Sequence, residues 1–342
     1  MHTRLKKLRA AVMAASACLG MAIQTQTQAQ TPVRWDLPGA YAATNFHSQL
    51  LHVFAKDVEE LSQGKLKISV HDGASLYKMA EIKRAVQGNQ VQAGEILLSA
   101  FANEDPLYEL DGLPFVTHSY ESAWQLYQAQ KPYLEKKLAS QGMMLLYTVA
   151  WTSQGIYTNR DLNTVADMRG LKWRAYNSAT ARIAELVGAH PVTIQAAELS
   201  QAMATGVIDS FMTSGTTGYD TKTFEYIKKF YNTEAALPKN AVIVNRRAFE
   251  ALDADTQQAL LTAGERAEAR GWQLSQERSD WYLEALAQSG MTIIKPSAAL
   301  MEGLGQVGAT MFADWLKKAG ADGQAINAAY RKLTDHQPER TP

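Results

Sequence analysis

The side chain best suited to recognise a charged ligand is Arg174, in the run Gly170-Leu171-Lys172-Trp173-Arg174-Ala175. Leu171, Trp173 and Ala175 alternate with Lys172 and Arg174, the period of a strand that carries both cations on one face. A guanidinium presents a planar fork of donors and grips a carboxylate through two parallel hydrogen bonds, which an ammonium cannot do. The same alternation also describes the wet face of an edge strand, with Lys172 and Arg174 both in solvent. The pattern alone leaves the two open.

Residues for catalysis are harder to find. The chain has no G-x-S-x-G elbow, no phosphate-binding P-loop and no H-E-x-x-H helix. The seven histidines are scattered, and only His47 and His52 share a helix, five residues apart. That is not a ligand spacing, so neither a metal nor another cofactor is expected. Carboxylate pairs such as Glu59–Glu60 fall on the solvated face of a helix. The expectation is a chain that is not an enzyme.

The elements around Arg174 follow from punctuation. Asn177-Ser178 offers a helix cap, Ala179–Val187 carries an apolar stripe that stops at Gly188, and Val192–Ile194 reads as a strand. Glu198–Thr205 is a helix stopped by Gly206, and Val207–Met212 returns as a strand. Strand–helix–strand–helix–strand is the signature of an α/β domain with a parallel sheet. Upstream, Val33–Leu37 is a strand, and Asn45 caps a helix to about Ser62 whose Phe46, Leu50, Leu51, Phe54 and Val58 form one face. Lys65–Val70, Val91–Leu98 and Met143–Ala150 are strands, Met79–Val86 is a helix, and Tyr120–Leu138 is a helix with a break or kink at Pro132. Downstream, Thr221–Lys229 reads as helix, while Phe230–Thr233, Ala241–Asn245 and Met291–Ile294 read as strands. A long helical pattern runs from Asp255 to Gln288, weakened by about 1 kcal/mol at each of Gly264 and Gly271. Ala298–Lys318 and Asp322–Leu333 are closing helices.

Composition narrows the class. At 342 residues, with 46% apolar and 20% charged side chains, the chain is an ordinary globular protein with room for two cores. Residues 1–29 read as a cleavable export signal: Arg4, Lys6, Lys7 and Arg9, then an apolar run from Ala10 to Ile23, then Thr27-Gln28-Ala29 before Gln30. Removal leaves 30 basic against 34 acidic side chains, a mildly acidic protein with no call on nucleic acid or anionic lipid. It also removes Cys18, the only cysteine, and with it any thiolate or disulfide chemistry. The expected location is the periplasm, without stable membrane insertion.

Several of these runs resemble one family. The Gly-Leu-Lys-x-Arg strand ending at Arg174, Gly188-Ala189-His190-Pro191-Val192-Thr193-Ile194 and the spacing Glu198, Ala202, Gly206, Asp209 are similar to the DctP-type substrate-binding proteins of TRAP transporters. So are the Leu113-Pro114-Phe115 segment and the long helix near the C-terminus, and the likeness covers essentially the whole exported chain. It implies a two-lobed α/β periplasmic binding protein fold, with a long helix (253–288) spanning both lobes. Lobe I would hold 30–151 plus about 240–280, and lobe II 152–239 plus about 281–335.

The implied function is capture of a small organic acid in an interlobe cleft and its delivery to membrane permease subunits. Arg174 would pair with the ligand carboxylate, and a polar position of the family falls at Ser214. Many members that bind sugar acids carry a second arginine about twenty residues earlier, where this chain has Gln154. A neutral amide there argues against a dicarboxylate and for a monocarboxylate: a 2-oxo, 2-hydroxy or aromatic acid. Trp151 is expected as an apolar wall, with Phe211 and Tyr176 as lesser candidates of the same kind. Asn45 and Ser99, near the carboxyl ends of strands, are expected to face the cleft. A ligand-presenting subunit for a sensor kinase and an exported enzyme are the alternatives.

Overall fold

The computed structural model describes residues 31–334; the expected signal at 1–29, its cleavage site and Cys18 lie outside them. Strands β1 (Val33–Pro38) and β2 (Leu66–His71) pair in parallel and are joined by α1 (Phe46–Leu61). The Asn45 side chain accepts the His47 backbone N–H and so starts α1 where the cap chemistry places it. Phe46, Leu50, Leu51, Phe54 and Val58 are all buried, each contributing about 1.5–3 kcal/mol.

Helix α2 (Met79–Gln87) leads into β3 (Ala93–Leu97), and α3 (Tyr120–Ser140) into β4 (Met143–Ala150). Strand β10 (Lys239–Asn245) inserts between β3 and β4, antiparallel to both. Helix α3 runs through Pro132 without ending: one N–H is lost, while Leu134 and Leu138 keep burying the same face.

The second half of the fold is a six-stranded sheet in the order β11-β9-β5-β8-β6-β7. Its members are β5 (Gln154–Thr158), β6 (Lys172–Ala175), β7 (His190–Thr193), β8 (Ser210–Ser214), β9 (Lys229–Tyr231) and β11 (Thr292–Ile294). Strand β6 pairs in parallel with both β7 and β8, as the punctuation around Arg174 requires, and β5 is antiparallel to β8. The connections are α4 (Ser178–Val187), capped by Asn177 and ended by Gly188 at φ 74°, then α5 (Leu199–Ala204) and α6 (Gly215–Asp220). The helix expected over 221–229 is absent. Lys222 adopts φ 51°, which ends the helical path, and only a turn at Thr223–Glu225 precedes β9.

Helix α7 (Arg246–Glu250) is short; α8 (Ala254–Gln288) has 35 residues and is about 52 Å long. Its first half packs on the three-stranded sheet, where a Cβ on Gly271 would come within 2.4 Å of Val149. That glycine lets helix and strand approach, and it is no mere weak point in the helix. Near its other end Tyr282 and Leu286 pack on Gly215 at the start of α6. One helix thus braces both lobes. The final α9 (Ala298–Thr334) is two helices joined at Gly320, φ 57° and ψ −134°, matching the expected pair. Among the described residues no helix is long and apolar enough to cross a membrane.

Candidate ligand site between the sheets

Strand ends from both sheets converge on one cavity of about 240 Å3. Ala40 and Tyr41 follow β1, Leu97 ends β3, Trp151 follows β4, Tyr176 follows β6, and Gln195–Glu198 follow β7. Thr213 and Ser214 end β8. The antiparallel strands β5 and β10 bring their amino ends to the same place, as Gln154 and Pro238. Ligands of open α/β sheets sit beyond the carboxyl ends of parallel strands for the same reason: that is where the loops leave a crevice.

Arg174 is 3% exposed, on a strand flanked by two others, so the edge-strand alternative is excluded. Lys172, two residues earlier, is exposed and bonds the Gly206 carbonyl. The Arg174 Nε donates to the Ile194 carbonyl at 2.9 Å, and the guanidinium lies 4.9 Å from the Tyr176 ring centroid. Burial pulls its pKa down to about 10, which leaves it a cation at neutral pH. Among the described residues Arg174 has no carboxylate partner. A buried cation with donors to spare and no anion is an unfinished pair.

Gln154 lies opposite Ser214 in the β5–β8 register and is buried. Its Oε1 accepts the Tyr176 hydroxyl at 3.2 Å and its Nε2 donates to the Thr152 carbonyl at 3.3 Å, which leaves one amide N–H for a ligand. The Ser214 Oγ accepts the Thr217 backbone N–H at 3.1 Å and caps α6. Trp151 donates its indole N–H to Asn240 Oδ1 at 2.8 Å and meets the Tyr41 ring edge-on at 4.8 Å. Arg174, Gln154, Ser214, Trp151 and Tyr176 therefore line this one cavity.

The remaining three expected residues are not among those lining the cavity. Phe211 is fully buried under the large sheet, stacked on Tyr157 at 4.9 Å. Asn45 sits seven residues beyond the end of β1; its Nδ2 donates to Asp220 Oδ2 at 2.7 Å, across to the end of α6. The Ser99 hydroxyl accepts from Asn177 Nδ2 at 2.9 Å, again from one sheet system to the other. The strand-end rule applied closer in would have found Tyr41 and Leu97. Burial alone had hidden Phe211: an aromatic in a strand gives no sign of which face it takes.

Gly303-Leu304-Gly305-Gln306-Val307-Gly308 has dinucleotide-loop spacing, but all six residues lie inside α9, with Gly303 against Val165 and Gly308 against Pro114. They are packing glycines in a helix, not a phosphate loop. Among the described residues no group of three or more His, Cys, Asp or Glu could hold a metal ion.

Residues 40–317 match the family described as bacterial extracellular solute-binding protein, family 7, DctP. The chain belongs to the DctP family. Among solved structures, the Bordetella pertussis extracytoplasmic solute receptor DctP6, which binds pyroglutamic acid, is 68% identical. It covers 88% of this chain and 100% of its own, with a TM-score of 0.87. A marine metagenome TRAP solute-binding protein specific for pyroglutamate is 45% identical, over 88% and 99%, also at 0.87. The C4-dicarboxylate-binding periplasmic protein of Rhodobacter capsulatus is 27% identical over 249 residues, 70% of this chain and 73% of that one. This DctP-family chain is thus an extracytoplasmic TRAP-type solute receptor with the two-lobed α/β fold and the spanning helix.

Proposed function

We propose that the cavity takes pyroglutamate, a small cyclic monocarboxylate, and that the chain delivers it to the membrane permease of a TRAP transporter. The observation that carries this reading is the buried Arg174 guanidinium, facing the cavity with no acid of its own. The ligand carboxylate completes the pair through N–H groups that the Ile194 carbonyl does not use. Such a charge-assisted bond contributes about 1.5–3 kcal/mol. Gln154, where a second arginine would favour a dianion, supplies one neutral N–H. With the hydroxyls of Thr213 and Ser214 it can meet the amide of a lactam ring, while Trp151 and Tyr41 cover the ring's methylene face. The size agrees: about 240 Å3 lies below the roughly 300–1,000 Å3 of pockets for drug-sized ligands. Similarity to two pyroglutamate-binding proteins adds support.

Capture then proceeds by closure. Lobe I is taken as 30–151 plus about 240–280, and lobe II as 152–239 plus about 281–335. On that division the Asn45–Asp220 and Asn177–Ser99 bonds cross the cleft mouth and hold the lobes shut around the acid. Export by the N-terminal signal places the receptor in the periplasm.

A thermal-shift screen of protein unfolded and refolded to strip carried-over ligand tests the assignment. The panel holds pyroglutamate, 2-oxo and 2-hydroxy acids, sugar acids and dicarboxylates. A ligand at about 100 times its Kd adds about 2.7 kcal/mol of stability. Pyroglutamate should give the largest shift; stabilisation by succinate in its place would refute the monocarboxylate reading of Gln154, and stabilisation by a uronate would refute the assignment to pyroglutamate.

A further inference from the structure

The lactam of pyroglutamate presents a donor and an acceptor on one edge, because the five-membered ring forces its amide cis. The ring N–H is joined to the carbon that carries the carboxylate, so its acceptor must stand beside the group that holds the carboxylate. Most side chains of the cavity have little left to offer there. The Gln154 nitrogen faces the Thr152 carbonyl, which only accepts, so Oε1 is the atom already bonded to the Tyr176 hydroxyl. The Ser214 hydroxyl bonds Thr217 Oγ1 at 3.1 Å and accepts the Thr217 backbone N–H at 3.1 Å. The Glu198 carboxylate is exposed, and its charge repels an anionic ligand. The Thr213 hydroxyl is a single atom and spans only one end of an amide.

Gln195 differs from all of these. Ile194 extends β7 by one residue, its N–H donating to the Ala175 carbonyl of β6 at 3.0 Å. The Ile194 carbonyl that holds Arg174 Nε at 2.9 Å is the acyl half of the peptide bond to Gln195. The anchor of the guanidinium and the residue bearing the second amide are thus neighbours in the chain. Gln195 opens the turn Ala196–Glu198 from the cap position, at φ −78° and ψ 162°, yet its side chain makes no capping bond. The turn is closed by backbone, the Glu198 N–H donating to the Gln195 carbonyl at 3.0 Å. Ser, Thr, Asp or Asn would cap that turn better, so local structure does not account for a glutamine here. The side chain is half-buried in the cavity lining and has no hydrogen-bond partner among the described residues. Both ends of a planar amide therefore remain for a ligand.

We propose that Gln195 is a specificity-determining residue for the lactam: its Oε1 accepts the ring N–H while its Nε2 donates to the ring carbonyl, beside the Arg174–carboxylate pair. This rests on the cavity being the pyroglutamate site. The ring carbonyl has a second lone pair, which the remaining Gln154 N–H can use, so the two glutamines do not compete. A ring acid without the N–H keeps the Arg174 contact but sets Gln195 Oε1 against a group that cannot donate. An acceptor desolvated without a partner costs more than the bond alone contributes, and that asymmetry is the source of the discrimination.

Calorimetric titration with two ligands tests this: pyroglutamate, and the cyclic keto acid in which a methylene replaces the ring N–H. The wild type should prefer pyroglutamate by at least about tenfold. Gln195→Met, of similar length but without polar ends, should bring the two affinities within about threefold of each other. A merely structural role would weaken both ligands alike and leave their ratio unchanged. Thr213→Val should keep the wild-type ratio. A wild-type ratio in Gln195→Met overturns the proposal, and loss of the ratio in Thr213→Val alone would assign the lactam to that hydroxyl instead. Equal wild-type affinity for the two ligands overturns it as well. If Gln195→Met does not fold, Gln195→Asn, whose shorter amide withdraws from the ring, is judged by the same ratio. A wild type that binds neither ligand overturns the pyroglutamate assignment itself, an outcome distinct from binding with an unchanged ratio.

Discussion

Replacing Arg174 by methionine keeps most of the apolar stem and removes the charge. In the ligand-free protein that charge is a burden. Burial that brings the guanidinium down to about 10 corresponds to about 3 kcal/mol against the cation. The bond to the Ile194 carbonyl and the stacking on Tyr176 offset part of it, so Arg174→Met should leave the ligand-free protein as stable as wild type or up to about 2 kcal/mol more stable. The complex behaves in the opposite sense. Stranding the ligand carboxylate in a buried site costs about 3–5 kcal/mol, so Kd should rise at least about 100-fold. Scanning calorimetry with and without pyroglutamate, combined with titration calorimetry, reads both effects in one sample. Arg174→Lys, a point charge without the fork, should fall between the two. Affinity for Arg174→Met within about threefold of wild type would refute the carboxylate clamp. A loss of more than about 3 kcal/mol in the ligand-free state would show instead that Arg174 is a structural brace.

Three further outcomes are expected. Burial raises the Glu95 carboxyl from its ordinary 4.5 to about 7, so between those values the folded state holds a proton that the unfolded state has lost, and stability falls as pH rises through them. Glu95→Gln should therefore raise stability at pH 8 by up to about 3 kcal/mol, and urea unfolding at pH 5 and 8 gives the comparison. Asn45→Ala removes both the cap of α1 and the bond to Asp220, and should speed ligand release in stopped-flow fluorescence; an unchanged release rate would remove that bond from the closed state. Gly271→Ala gains about 1 kcal/mol of helix propensity but presses a methyl into Val149, an overpacking that costs about 1–3 kcal/mol, and net stabilisation on urea unfolding would contradict the close approach of α8 to β4.

The α/β punctuation around Arg174 was readable without coordinates because caps, αL glycines and apolar periods are local physics. Asn177 caps α4, Gly188 ends it, and β6, β7 and β8 follow in parallel. The 35-residue α8 and the Arg174 strand were legible for the same reason. At Lys222 the sequence misled: that residue turns left-handed and ends a helix that the apolar pattern continued. At Pro132, read as a break or kink, α3 continues without a break. Of the expected site residues, Arg174, Gln154, Ser214, Trp151 and Tyr176 line one cavity, since each sits at or beside a strand end that the topology brings there. Tyr41 and Asn240 escaped notice because they meet Trp151 only in three dimensions: Tyr41 follows β1, Asn240 stands on β10, and Trp151 follows β4. Sequence determines which backbone a residue can adopt, through interactions within a few residues. Whether a cation ends in water or in a dry cavity without its anion is set by what folds over it, and only the tertiary structure decides that.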